Sequence, residues 1–121
     1  MKLSKINDAY NATEEITKQN DLSIIVKWAI FNIRKQMAAH VDFYNDEIKK
    51  LLDEYKPTVE GNLLHFEKEE QAKEFSEKRN KIDDFEVEIN NEKPIIKLSD
   101  IPDITVQQME QLEDFITFNP E

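Results

Sequence analysis

Two histidines and a surplus of carboxylates are the side chains with which this chain could do chemistry. His40 and His65 stand about 25 residues apart, and neither is framed by an HExxH or paired-histidine spacing. A metal site needs several donors brought together, and this spacing supplies none locally. His40 falls in the middle of a long helical pattern and reads as a surface or partly packed residue. Asp83 with Asp84 and Glu86 with Glu88 offer the paired carboxyls that general acid–base work requires. Solvation explains them more simply: Glu86 and Glu88 are the water-facing half of an alternating segment, and Glu67, Glu69 and Glu70 favour a helix N-terminus through its dipole. Asp100 and Asp103 lack the spaced Asp/Asn/Gly pattern of a calcium loop.

The residue types that are missing narrow the chemistry further. One glycine, Gly61, cannot build the glycine-rich turns that cradle phosphates. Without cysteine there is no thiolate nucleophile, no disulfide and no Cys-based metal site. We therefore expect no catalytic residue, no cofactor and no metal, and a protein that is not an enzyme but works by binding another macromolecule.

The elements that must position such a binding surface are bounded by size and composition. A chain of 121 residues fits a single domain, 1–121. Its hydrophobic fraction of 39% is below the usual range and its charged fraction of 35% above it, which points to an elongated or oligomerising molecule. The net charge of −10 repels a phosphate backbone, so direct nucleic-acid binding is not expected. From Leu98 to Glu121 there are six acids and no Lys or Arg, so more than half of the net charge lies there. No apolar run resembles a signal peptide or a membrane span: the run from Leu22 to Ile33 is short and carries Lys27. No membrane association and no export by a signal peptide are expected.

Periodicity predicts helices over about 4–18, 22–56, 67–83 and 105–118, and strands over about 62–66, 85–89 and 95–98. The first helix has a thin stripe of Leu3, Ile6, Tyr10 and Ile16. Asn20 and Asp21 supply a break and a cap before the second, and Pro57 ends it. In that long helix Ile30, Ile33, Met37, Val41, Tyr44, Ile48, Leu51 and Tyr55 repeat at threes and fours, a one-face pattern. Its length predicts that part of it projects towards a partner or pairs with a copy of itself. Ala72, Phe75, Arg79 and Ile82 mark one face of the third helix. The alternating Phe85 to Ile89 reads as a half-buried strand, Asn90 to Pro94 as a hairpin loop, and Ile95 to Leu98 as the returning strand. Thr105 and Gln108 form a capping box, with an Ile104–Met109 staple, before a helix facing inward with Met109, Leu112 and Ile116, joined by Phe115 at its edge. The fold class is α+β and helix-dominated: a long central helix with N- and C-terminal helices on a small two- or three-stranded sheet.

Two surfaces stand out as partner candidates. Trp28 and Phe31 flank the main stripe beside Ile30, and Leu22, Ile25, Val26 and Ala29 make the N-terminal third of the long helix apolar nearly all round. Such a helix is buried, within the monomer or between subunits. The acidic last helix offers Glu110, Glu113 and Asp114.

The order of these segments carries a resemblance. A long helix ending Glu54-Tyr55-Lys56, then Glu60-Gly61-Asn62 and an extended stretch, a charged helix, the FEVEI segment at 85–89, PIIKLSDI at 94–101 and LEDFI at 112–116 resemble a family of small tailed-bacteriophage proteins of unknown function, the DUF1617-like group. The likeness spans nearly the whole chain, but its motifs are compositional and none is a chemical signature. The segment between Gly61 and Phe66 is short by comparison. The resemblance implies a phage-encoded protein of the host cytoplasm or the virion, with no catalytic residues to carry over. Two functions follow as expectations. One is a structural or protein-interaction protein, a virion accessory or assembly component that forms a homo-oligomer. The other is an acidic inhibitor or decoy whose C-terminal helix occupies a basic host defence or nucleic-acid-handling protein.

Overall fold

A computed structural model describes residues 1–89 and 92–120. The chain forms α1 (Leu3–Thr17), α2 (Ile24–Tyr55), β1 (Thr58–Glu60), β2 (Leu63–His65), α3 (Glu69–Asp83), β3 (Ile95–Lys97), a short 3-10 turn at Leu98–Asp100, α4 (Val106–Leu112) and β4 (Thr117–Asn119). It is helix-dominated, with α2 of 32 residues as its axis.

The stripe predicted for α2 is the stripe that is buried. Ile30, Ile33, Met37, Val41, Tyr44 and Leu51 are buried, with Ile48 and Tyr55 half-buried at its margin. Two helices cover this stripe in succession, both antiparallel to α2. α1 lies against the first half with Leu3, Ile6, Ala9, Ala12 and Ile16. The two alanines widen a stripe that looked thin in sequence, because at a close helix–helix approach a methyl group fills the space. α3 covers the second half, where Phe75 packs with Phe66 and edge-on to Tyr55 in a cluster set apart from the main core. The far half of α2 is braced by α3, through that cluster and through Lys78 bonded to Glu54.

The ends of α2 have identifiable causes. Ser23, and not Asn20 or Asp21, is the N-cap, its hydroxyl accepting from the Val26 amide. At the other end Lys56 adopts the left-handed conformation, φ 45°, and its amide closes the last turn on Leu52. Pro57 disfavours right-handed helical geometry at the residue before it, so the helix stops there.

The predicted sheet is redistributed. The segment at 62–66 contains β2, but its partner is β1, which sequence did not suggest; Glu60 and Leu63 flank the two-residue turn Gly61-Asn62. Gly61 has φ +61°, as the first position of a type II′ turn requires. This hairpin stands largely exposed, outside the helical cover that so small a sheet was expected to need.

The expected hairpin of 85–89 with 95–98 does not form. The Phe85 to Ile89 segment instead pairs with the first residues of the chain: the Leu3 amide donates to Phe85, the Val87 amide to Met1, and Lys2 and Glu86 form an isolated antiparallel bridge. Val87 and Ile89 face the core and Glu86 and Glu88 face water, so the alternation is right from Glu86 onward, whereas Phe85 is exposed and the partner differs. Of the predicted Asn90 to Pro94 loop, Asn90 and Asn91 lie outside the described residues.

The last element is also shorter than its periodicity suggests. The capping box is present in both halves, Gln108 amide to Thr105 hydroxyl at 3.1 Å and Thr105 amide to Gln108 Oε1 at 3.0 Å. Yet α4 ends at Leu112, and Thr117 and Phe118, predicted as helix, run with Asn119 as β4 parallel to β3. A parallel pair needs a crossover, and the 3-10 turn with α4 supplies it. Ile96, Ile101, Leu112, Phe115 and Ile116 close the core on this side, over α1 and α2.

Candidate protein-docking face

The N-terminal third of α2 is split lengthwise. Val26, Ile30 and Ile33 are buried, and Ile30, 1% exposed, is a core residue and no part of a surface. That corrects its place among the partner candidates: about 100° per residue turns it towards α1. Ile24, Ile25, Trp28 and Phe31 point the other way and are 78%, 73%, 63% and 54% exposed. Within the single chain, therefore, one half of the circumference of this third is buried and the other half is not.

The exposed half is ordered. Trp28 and Phe31, one turn apart, stack with centroids 5.7 Å apart and planes 23° from parallel. Trp28 lines two depressions. One, of about 510 Å³, lies between α2 and the segment at 92–94 and is walled by Ile25, Ala29, Asn32, Gln36 and Pro94. The other, about 360 Å³, is walled by Ile24, Lys27 and Phe31. A protruding indole with a groove on either side is a shape that fits another surface of like design. From Leu22 to Val41 the chain carries Lys27, Arg34 and Lys35 and no acid, with Arg34 turned into α1, while Glu92 lines the first depression.

Ile24 is the residue that reasoning from sequence missed here. Its signal is present in retrospect: Ile24, Trp28 and Phe31 follow the i, i+4, i+7 spacing, a second stripe opposite the first.

Several of the other candidates are held in structural contacts. Asp114 forms an ion pair with Lys5 that ties α4 to α1, and this hydrogen bond raises the Lys5 pKa above its ordinary value. Glu110 and Glu113 are exposed on a helix of seven residues. Asp83 accepts from the Tyr44 hydroxyl; burial first, and then that bond, raises the pKa of the phenol. Asp84 pairs with Lys2 at 3.2 Å, and His65 with Glu60 at 3.4 Å across the β1–β2 hairpin. Glu86 lies 2.8 Å from the amino group of Met1. His40 is half-buried within α2.

The core contributes one polar device. Arg34 stacks over the Tyr10 ring at 4.0 Å and donates from Nη1 to the Tyr10 carbonyl at 3.1 Å and to the Thr13 hydroxyl at 2.8 Å. Thr13 is fully buried and donates in turn to Tyr10. This clip fixes the register of α1 on α2, and so the direction in which Trp28 points.

Among the described residues no group of three or more His, Asp or Glu side chains is placed to hold a metal ion, and no helix is long and apolar enough to cross a membrane. No protein-family model, curated protein or solved structure matches the chain.

Proposed function

We propose that this chain is a non-catalytic structural or protein-interaction protein that assembles with another protein surface through the Ile24, Ile25, Trp28 and Phe31 face of α2. The observation that carries this reading is the four large apolar side chains exposed together on one helix face, opposite an already complete core. Contiguous exposed apolar patches on soluble proteins mark interaction sites. In the phage setting that the sequence resemblance implies, this is the behaviour of a virion accessory or assembly component. The alternative reading as an acidic decoy draws less support, because Asp114 is engaged by Lys5 and α4 is short.

The test is site-specific photo-crosslinking of the protein at Phe31, with exposed Lys49 on the far half of α2 as the control position. An adduct with protein from position 31 and none from position 49 is expected. Equal or absent adducts at the two positions would sink the reading.

A further inference from the structure

Resting on the reading of this face as a docking surface, we infer that its occupant is a second copy of this chain, with the two α2 helices antiparallel and crossing at Trp28. Three observations lead there.

The first is shape. A two-fold interface must be complementary to itself, so each copy needs a projection and a place to receive one. Trp28 supplies the projection, and the two depressions that it lines supply the receiving surfaces.

The second is charge in register. When two antiparallel helices cross at one residue, positions equally far from it on either side face each other. Ile25 then meets Phe31 of the second copy. Asp21 meets Lys35, and the symmetry repeats both pairs. Asp21 is exposed in the turn just before Ser23, and Lys35 is exposed two turns beyond Trp28. Asp21 is also the last acid before the acid-free stretch that runs to Val41. A chain with a net charge of −10 repels its copies at a distance, and a two-fold contact sets each patch against itself, so a homotypic contact needs opposite charges that face each other across the axis. This face meets that condition.

The third is area. The exposed parts of the four apolar side chains amount to on the order of 600 Å² per copy, against about 800 Å² per partner in a standard interface. That is enough for a reversible dimer and predicts dissociation in roughly the micromolar range.

Trp28 is the one tryptophan in the chain, so fluorescence reads the contact itself. Purified protein is taken from about 1 to 500 μM while molar mass is followed by light scattering and emission is recorded on the same samples. Mass should rise from 14.3 kDa towards twice that value, with a blue shift of emission over the same concentrations. Phe31→Asp should abolish both changes. Asp21→Lys and Lys35→Asp, each on the exposed surface, should each weaken the dimer at least about tenfold by setting like charges against each other. When the two charge-reversal variants are mixed, each copy meets the opposite charge at both positions, and a dimer that neither variant forms alone should be recovered; this recovery cannot come from misfolding. Constant monomer mass with unchanged emission overturns the inference. So does a dimer that is indifferent to Phe31→Asp or to the two charge reversals. A monomeric wild type that still crosslinks to a different protein from position 31 removes self-docking alone and leaves the broader docking reading standing.

Discussion

Thr13 and Arg34 show how a few polar atoms decide orientation inside an apolar interface. The Arg34 guanidinium has two acceptors on α1, and the Thr13 hydroxyl is one of them. Replacing Thr13 by Val keeps the shape and removes the acceptor, so a charged donor in a half-buried site loses a partner. A loss of about 1–2 kcal/mol is expected in urea unfolding. Asp8 is a residue that works against the fold. Desolvation first, and then the nearby Asp83 charge, raises its pKa above the ordinary 3.8. Between the ordinary and the raised value the folded state binds more protons than the unfolded chain, so this group's contribution to stability falls as pH rises through that window. Asp8→Asn should therefore stabilise the protein slightly at pH 7, the effect being kept small by solvent screening of an exposed group, and the gain should disappear as the pH falls below 3.8. Urea midpoints at several pH values check both the sign and the window.

At the scale of elements, α2 is bounded by one favourable residue and one unfavourable one. Ser23 accepts from Val26, and Ser23→Ala should cost about 1 kcal/mol. Lys56 holds a left-handed conformation that costs an L residue about 1–2 kcal/mol, so Lys56→Gly should stabilise after allowance for the greater freedom of glycine in the unfolded chain, by about 0.5–1 kcal/mol. Thermal or urea unfolding of the two variants should move in opposite directions. The short strands obey a different logic. The alternation of Phe85 to Ile89 gives Val87 and Ile89 as core-facing but not Phe85, which is exposed, and the segment's partner is the start of the chain, because hydrogen-bonding groups of the backbone carry no sequence label by which a partner could be read. Likewise the spacing of Leu112 and Ile116 suits a helix, but Thr117 and Phe118 are pulled into β4 by the free edge of β3. Tertiary pairing overrides local periodicity where an element is only a few residues long.

For the molecule as a whole, one face of α2 is buried and the other exposed, and adjacent residues should respond in opposite ways to the same substitution. Ile30→Asp places an unpaired charge inside the buried core and should cost about 4 kcal/mol or more, enough to unfold a domain of this size. Phe31→Asp, one position on, should change stability by less than about 1 kcal/mol and keep the helical circular dichroism of the wild type. Equal unfolding by the two variants would mean that the outer face also serves the monomer fold. The whole molecule is thus a long helix braced on one side by α1 and then α3, leaving the first third of its other side available.

The first three helices, the buried stripe of α2, the capping box at Thr105 and the turn at Gly61 were determined by sequence alone, because each depends on contacts within a few residues and on side-chain periods that a chain carries wherever it goes. So was the charge: six acids and no base after Lys97 need no fold to be known. The tertiary structure decided which strands pair, that α3 braces the far half of α2, and that Ile30 and Phe31 part company. Those outcomes depend on competition between surfaces distant in sequence. An apolar residue in a doubly apolar helix is core or docking face according to which side the first-formed packing covers, and here the Arg34 clip to α1 settles that choice.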